Sequence, residues 1–148
     1  MNLKKALSPA VVRTGMVGRT KEEIIDEMIE VLASTGKISD VERARAAIRE
    51  RERKMSTGME HGIAIPHGKT DAVTELLACV GVTAHDVDFG ALDGKPSRIF
   101  IMTLSPVDRT GPHIQFLAEI SQLLRSADKR QKLLEASSPD ALLKALLA

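Results

Sequence analysis

The chain has 148 residues, a length that suits one compact domain. Hydrophobic residues make up 43% and aromatics 2%, with neither Trp nor Tyr, so an aliphatic core is expected and no aromatic platform exists for stacking bases or sugars. The net charge is +1 without a basic block of the kind that binds a polyanion by counterion release, so nucleic acid is not an expected partner.

One cysteine, Cys79, excludes a disulfide framework or a zinc ribbon within the chain and fits a reducing compartment. The start, Met1 to Pro9, carries lysines but no apolar stretch of signal-peptide length, and no run approaches transmembrane length. The expectation is a soluble cytoplasmic domain without direct membrane insertion.

In residues 1–19, Val11-Val12 suggests an edge strand, and Gly15 and Gly18 suggest turns. Thr20 to Glu23 forms a capping box, followed by Ile24, Ile25, Met28, Ile29 and Leu32 on one helical stripe that Gly36 ends. Ser39-Asp40-Val41-Glu42 has the form of a second capping box, opening a helix to about Arg53 with Val41, Ala44, Ala47 and Ile48 inward. Its arginines alternate with glutamates, which is chiefly a solvated face, but its end runs into the loop that follows.

That loop leads to the stretch on which the functional reading turns, Ser56 to Gly68. Ile63-Ala64-Ile65 reads as a short strand that stops at Pro66, which has no N–H to give a ladder. His67 then stands at a sheet rim, with Gly68 leaving open space beside it. A neutral imidazole is nucleophilic and can carry a group on one ring nitrogen.

Val73 to Val82 reads as a buried strand, with Cys79 a small core residue. His85 to Phe89 alternates up to Gly90, and Leu92-Asp93-Gly94-Lys95-Pro96 is a turn. Arg98 to Leu104 is a further apolar strand closed by Ser105-Pro106. The next helix places Ile114, Leu117, Ala118, Ser121 and Leu124 on its inner stripe, with His113 at its start, where free N–H groups favour an anion. If the strands at 63–65 and 98–104 lie side by side, His67 and His113 meet at one sheet edge. Lys129 to Ala136 forms a short helix, and Ser138 caps the last one with Pro139 at its first position. Alternating helices and buried strands imply an α/β fold: a single-domain layered sandwich over residues 1–148, its central sheet mixed and mostly parallel, flanked by helices.

His61 and His85 receive no role. Metal is disfavoured because no HExxH, HxH or His-x3-His spacing occurs. No Gly-x-Ser-x-Gly elbow and no nucleotide-binding glycine pattern is present, which argues against a serine hydrolase and a nucleotide site.

The run Ser-Thr-Gly-x-x-x-Gly-Ile-Ala-Ile-Pro-His-Gly resembles the active-site motif of the fructose/mannitol (type 2) class of enzyme IIA of the bacterial sugar phosphotransferase system, to which the nitrogen-related enzyme IIA is a cousin. The likeness spans roughly Thr20 to Leu147, including the Arg-Glu helix end, the Leu-Asp-Gly-Lys-Pro turn and the His-Ile-x-x-Leu-Ala helix. The resemblance implies a phosphotransferase component: His67 takes a phosphoryl group from the phosphocarrier HPr and passes it to a cysteine of enzyme IIB, for uptake of a fructose/mannitol-type sugar. By match, the family's second histidine is His113 and its arginine is Arg51, though Arg49-Glu50 forms a second Arg-Glu pair. No cofactor and no metal is implied. Met59, Ile63 and Ile65 are the expected apolar rim for docking partners. Cys79 lies in a buried strand and no IIB or membrane IIC segment is evident, so those partners are expected on separate chains. The alternative is a nitrogen-related regulator that controls target proteins through its phosphorylation state.

Overall fold

The two longest apolar runs pair with each other at the centre of one sheet. In the computed structural model, which describes residues 3–148, β4 (Leu77–Val87) and β5 (Ser97–Ser105) run antiparallel, with Cys79 opposite Met102 and Val80 opposite Ile101. Met1 and Asn2, part of the lysine-bearing start, lie outside the described residues. β1 (Val12–Arg13) lies parallel to β4. Two short strands, β2 (Ile63–Ala64) and β3 (His67–Lys69), lie parallel to β5 along its other side. The sheet is therefore mixed as expected; the parallel pairings are short and the central antiparallel one is long.

Among the described residues six α-helices flank it: α1 (Leu3–Ala6), α2 (Lys21–Ala33), α3 (Val41–Lys54), α4 (Gly111–Leu123), α5 (Ala127–Glu135) and α6 (Pro139–Leu147). Cys79 Sγ points at the Met28 carbonyl of α2, and Gly68 of β3 lies against Ala47 and Ile48 of α3, so these helices cover one face. Thr103 of β5 points the other way, to His113 of α4. Among the described residues no helix is long and apolar enough to cross a membrane.

The core is aliphatic apart from Phe89, Phe100 and Phe116, all fully buried. Each such side chain contributes about 1.5–3 kcal/mol through removal from water. Met16 crosses β4 where Gly81 leaves room: a Cβ there would lie 1.9 Å from the Met16 sulfur.

Local signals act as their chemistry demands at α2, where Thr20 and Glu23 form both halves of a capping box. At α3 the expected box is replaced. Asp40 is the N-cap, accepting from the Arg43 amide at 3.1 Å, while Ser39 gives both its amide and its hydroxyl to the Ala72 carbonyl. Glu42, the residue needed to close the box, pairs with Arg45 instead. The strand expected at 73–82 is β4, which begins at Leu77 and runs on to Val87 through a register shift. The inner stripe of α4 is also displaced. His113, Phe116, Ile120 and Leu124 face inward, and Ile114 is 63% exposed, because the fully buried Phe116 ring sets the rotation of that helix.

Candidate functional site

Pro66 interrupts the sheet edge without ending it. The Thr103 amide donates to the Pro66 carbonyl at 3.2 Å, and pairing resumes with His67 opposite Thr103. His67 thus sits at the start of β3 on the edge of the sheet, half-buried. Its Nδ1 lies 2.9 Å from the Ile65 carbonyl oxygen. A carbonyl only accepts, so Nδ1 carries the ring hydrogen and Nε2 of the neutral ring holds a bare lone pair. The acceptor that pins the ring is therefore local, two residues back along the chain.

His113, the third residue of α4, is 8% exposed. Its ring centroid is 5.2 Å from that of His67, with the planes inclined by 38°. The two imidazoles expected to meet at one sheet edge do so, because β2 and β3 pair with β5 and α4 follows directly from it. His113 Nδ1 lies 3.1 Å from the Thr103 hydroxyl. Burial, followed by the proximity of His67 and Lys69, pushes its pKa down to about 4, so it is neutral at pH 7.

The two arginines left open by the sequence separate. Arg49 donates from Nη2 to both oxygens of Asp26, at 2.7 and 3.0 Å, and lies on the α2 side of α3. Arg51, in the last turn of α3, donates to the Met55 carbonyl at 2.9 Å and borders both cavities that His67 lines. One of these is polar, about 580 Å³, walled by Glu50, Lys54, Lys69 and His113 as well. The other is apolar, about 550 Å³, walled by Met55, Met59, Ile65, Leu92 and Leu117. Of the expected rim, Met59 and Ile65 line this cavity, whereas Ile63 is buried in β2 and borders a neighbouring cleft.

A buried carboxylate holds the wall of the apolar cavity. Glu52 accepts from the Thr57 amide at 2.8 Å and from its hydroxyl at 2.8 Å, and Lys21 pairs with it at 3.2 Å. Ser56 donates to the Phe89 carbonyl and accepts from the Gly58 amide. The Ser-Thr-Gly part of the motif is thus clamped by side chains as well as by backbone pairing, with the Ile65 amide donating to the Thr57 carbonyl at 3.1 Å and Gly58 bridged to Ala64. Thr103 and Glu52 escaped the sequence reading, since a threonine in an apolar strand and one glutamate among several on α3 carry no distinguishing signal. Leu92, 80% exposed on the Asp-Gly turn, was readable only as turn.

His61 stays outside: it is exposed, in a left-handed conformation (φ 66°), with its amide on Asp93. His85 binds the Gly18 carbonyl at 2.6 Å and ties β4 to the loop before α2. Chemically, a bare imidazole nitrogen beside a second, neutral imidazole and a guanidinium suits an electrophile whose oxygens carry negative charge.

Residues 5–148 match the family model described as phosphoenolpyruvate-dependent sugar phosphotransferase system, EIIA 2. The chain is 39% identical over 119 residues to the fructose-specific EIIA component of Haloferax volcanii, covering 80% of this chain and 77% of that protein. It is 35% identical over 143 residues to the fructose-specific EIIABC component of Bacillus subtilis, covering 97% of this chain but only 22% of that longer protein. Its fold is similar to that of nitrogen regulatory protein IIA-Ntr from Neisseria meningitidis, with a TM-score of 0.88 and 25% identity over 96% of this chain and 97% of that one. It is also similar to Escherichia coli enzyme IIA mannitol in its complex with phosphorylated IIB mannitol, with a TM-score of 0.82 and 26% identity over 95% and 96% of the two chains. A match that spans residues 5–148, the whole sheet included, leaves one conclusion: the chain belongs to the EIIA type 2 family of the sugar phosphotransferase system.

Proposed function

We propose that this protein is a histidine phosphocarrier, taking a phosphoryl group from phospho-HPr on Nε2 of His67 and passing it to the cysteine of a IIB protein that serves uptake of a fructose/mannitol-type sugar. The observation that carries the reading is the Nδ1–H bond from His67 to the Ile65 carbonyl, which leaves Nε2 as the nucleophile beside His113. The Nε2 lone pair attacks phosphorus, the bond to the donor breaks, and its electron pair leaves with the donor. In the second transfer a IIB thiolate attacks phosphorus and the N–P pair returns to Nε2. His113 donates one hydrogen bond to the phosphoryl oxygens and Arg51 neutralises their charge. Lys54 and Lys69 in the wall of the polar cavity add to the positive field on those oxygens. The apolar cavity wall at Met55, Met59 and Leu92 suits the docking of two partners in turn.

The nitrogen-regulatory alternative is favoured by the close fold match to IIA-Ntr, whereas the higher identity to a fructose-specific EIIA component favours transport. The test is transfer of labelled phosphate from phospho-HPr to wild type, His67→Ala and His113→Ala. His67→Ala is expected to take no stable label. His113→Ala is expected to label roughly ten- to a hundred-fold more slowly, the worth of one hydrogen bond to charged oxygens. Label retained on His67→Ala would end the assignment. Onward transfer to a fructose-type IIB separates a transport role from a regulatory one.

A further inference from the structure

We propose that Thr103 is a positioning residue that holds His113 in its Nε2–H tautomer, so that the two imidazoles present complementary nitrogens, a lone pair on His67 and a donor on His113. Thr103 is fully buried in β5, and its hydroxyl lies 3.1 Å from His113 Nδ1. A hydroxyl in a dry site must place its hydrogen on an acceptor, or the full desolvation penalty of that group remains. Among the described residues, the acceptor within reach is Nδ1, so Thr103 donates and Nδ1 is the bare nitrogen of His113. The ring hydrogen then belongs on Nε2. Burial keeps this imidazole neutral, so there is only one ring hydrogen to place.

The same residue touches the other half of the site. Its amide donates to the Pro66 carbonyl at 3.2 Å, immediately before His67, which it faces across the ladder. One residue of the central strand therefore sets both where the nucleophile stands and which nitrogen its neighbour offers. His67 takes the opposite tautomer because its Nδ1 meets a carbonyl rather than a hydroxyl.

The tautomer follows from the hydroxyl geometry and the burial of the ring; its effect on rate rests on the phosphocarrier reading. The two are measured separately. In long-range proton–nitrogen spectra of nitrogen-15-labelled wild type at pH 7.5, His113 is expected to show an unprotonated Nδ1 and a protonated Nε2, and His67 the reverse. In Thr103→Val, which conserves volume, His113 is expected to become a mixture of tautomers, and Thr103→Ser is expected to restore the wild-type pattern. Phosphotransfer to His67 is expected to slow roughly ten-fold in Thr103→Val and to recover in Thr103→Ser. A wild-type His113 protonated on Nδ1 would overturn the proposal, as would a Thr103→Val protein whose tautomer and rate both match wild type. If Thr103→Val does not fold, the wild-type spectrum decides. If wild type takes no label while its spectrum shows the expected tautomers, the phosphocarrier reading fails and the role of Thr103 in setting the tautomer holds.

Discussion

At pH 7 His113 is uncharged because its ring is packed beside Thr103 and next to a second imidazole, where a proton would be poorly solvated. Its folded pKa of about 4 lies below the ordinary value of 6.5. Between those values the unfolded chain takes up a proton that the folded chain refuses, so stability falls as pH drops through that window and this contribution levels off below it. Urea midpoints measured from pH 7 to pH 4 are expected to decline less steeply in His113→Gln than in wild type; equal slopes would show that His113 titrates freely in the fold. His67 was legible because its cues are contiguous: a strand, a proline, the imidazole, a glycine. Its meeting with His113 was legible only through a guess about which strands are neighbours. Thr103 was not legible at all, since its hydroxyl gains meaning only from the helix above it. Nor did spacing separate Arg49 from Arg51; the difference is which face of α3 meets Asp26.

On the scale of elements, the approach of α3 to β3 decides how Arg51 stands relative to His67. Gly68 is where they touch: a Cβ there would lie 3.0 Å from the Ala47 carbonyl carbon and 3.1 Å from the Ile48 amide nitrogen. These are backbone atoms, so the helix itself would have to move. Gly68→Ala is expected to lose about 1–3 kcal/mol of stability from overpacking. Because the end of α3 carries Arg51, the same variant is expected to slow phosphoryl uptake by roughly ten- to a hundred-fold, the cost of misplacing a binding group by an ångström. A thermal melt and a transfer assay on one preparation check both; unchanged kinetics with lowered stability would count against the proposed part of Arg51 in holding the phosphoryl group. Capping chemistry made α2 and α6 readable, as Thr20 and Ser138 hold the expected amides. It misled at α3, where Ser39 had a competing partner across the chain in Ala72, and periodicity misled at α4, where one large ring at Phe116 outweighs Ile114.

For the molecule as a whole, composition was the best guide: an aliphatic core between two helical layers follows from many Ile, Leu and Val residues and few rings. Strand order was harder, because the long antiparallel contact of β4 with β5 has no local signature and the site-bearing strands are only two and three residues long. The centre of that sheet also holds the chain's only thiol. Cys79 is 1% exposed between α2 and β5, and burial pushes its thiol pKa up, so neither access nor ionisation favours attack while the molecule is intact. Alkylation of native protein is thus expected to proceed only as fast as the sheet comes apart, with the same denaturant dependence as global unfolding. Rapid modification in dilute buffer would reveal a partial opening. The buried sulfur is a built-in clock for the lifetime of the fold, readable by mass in any variant of the surface site without adding a label.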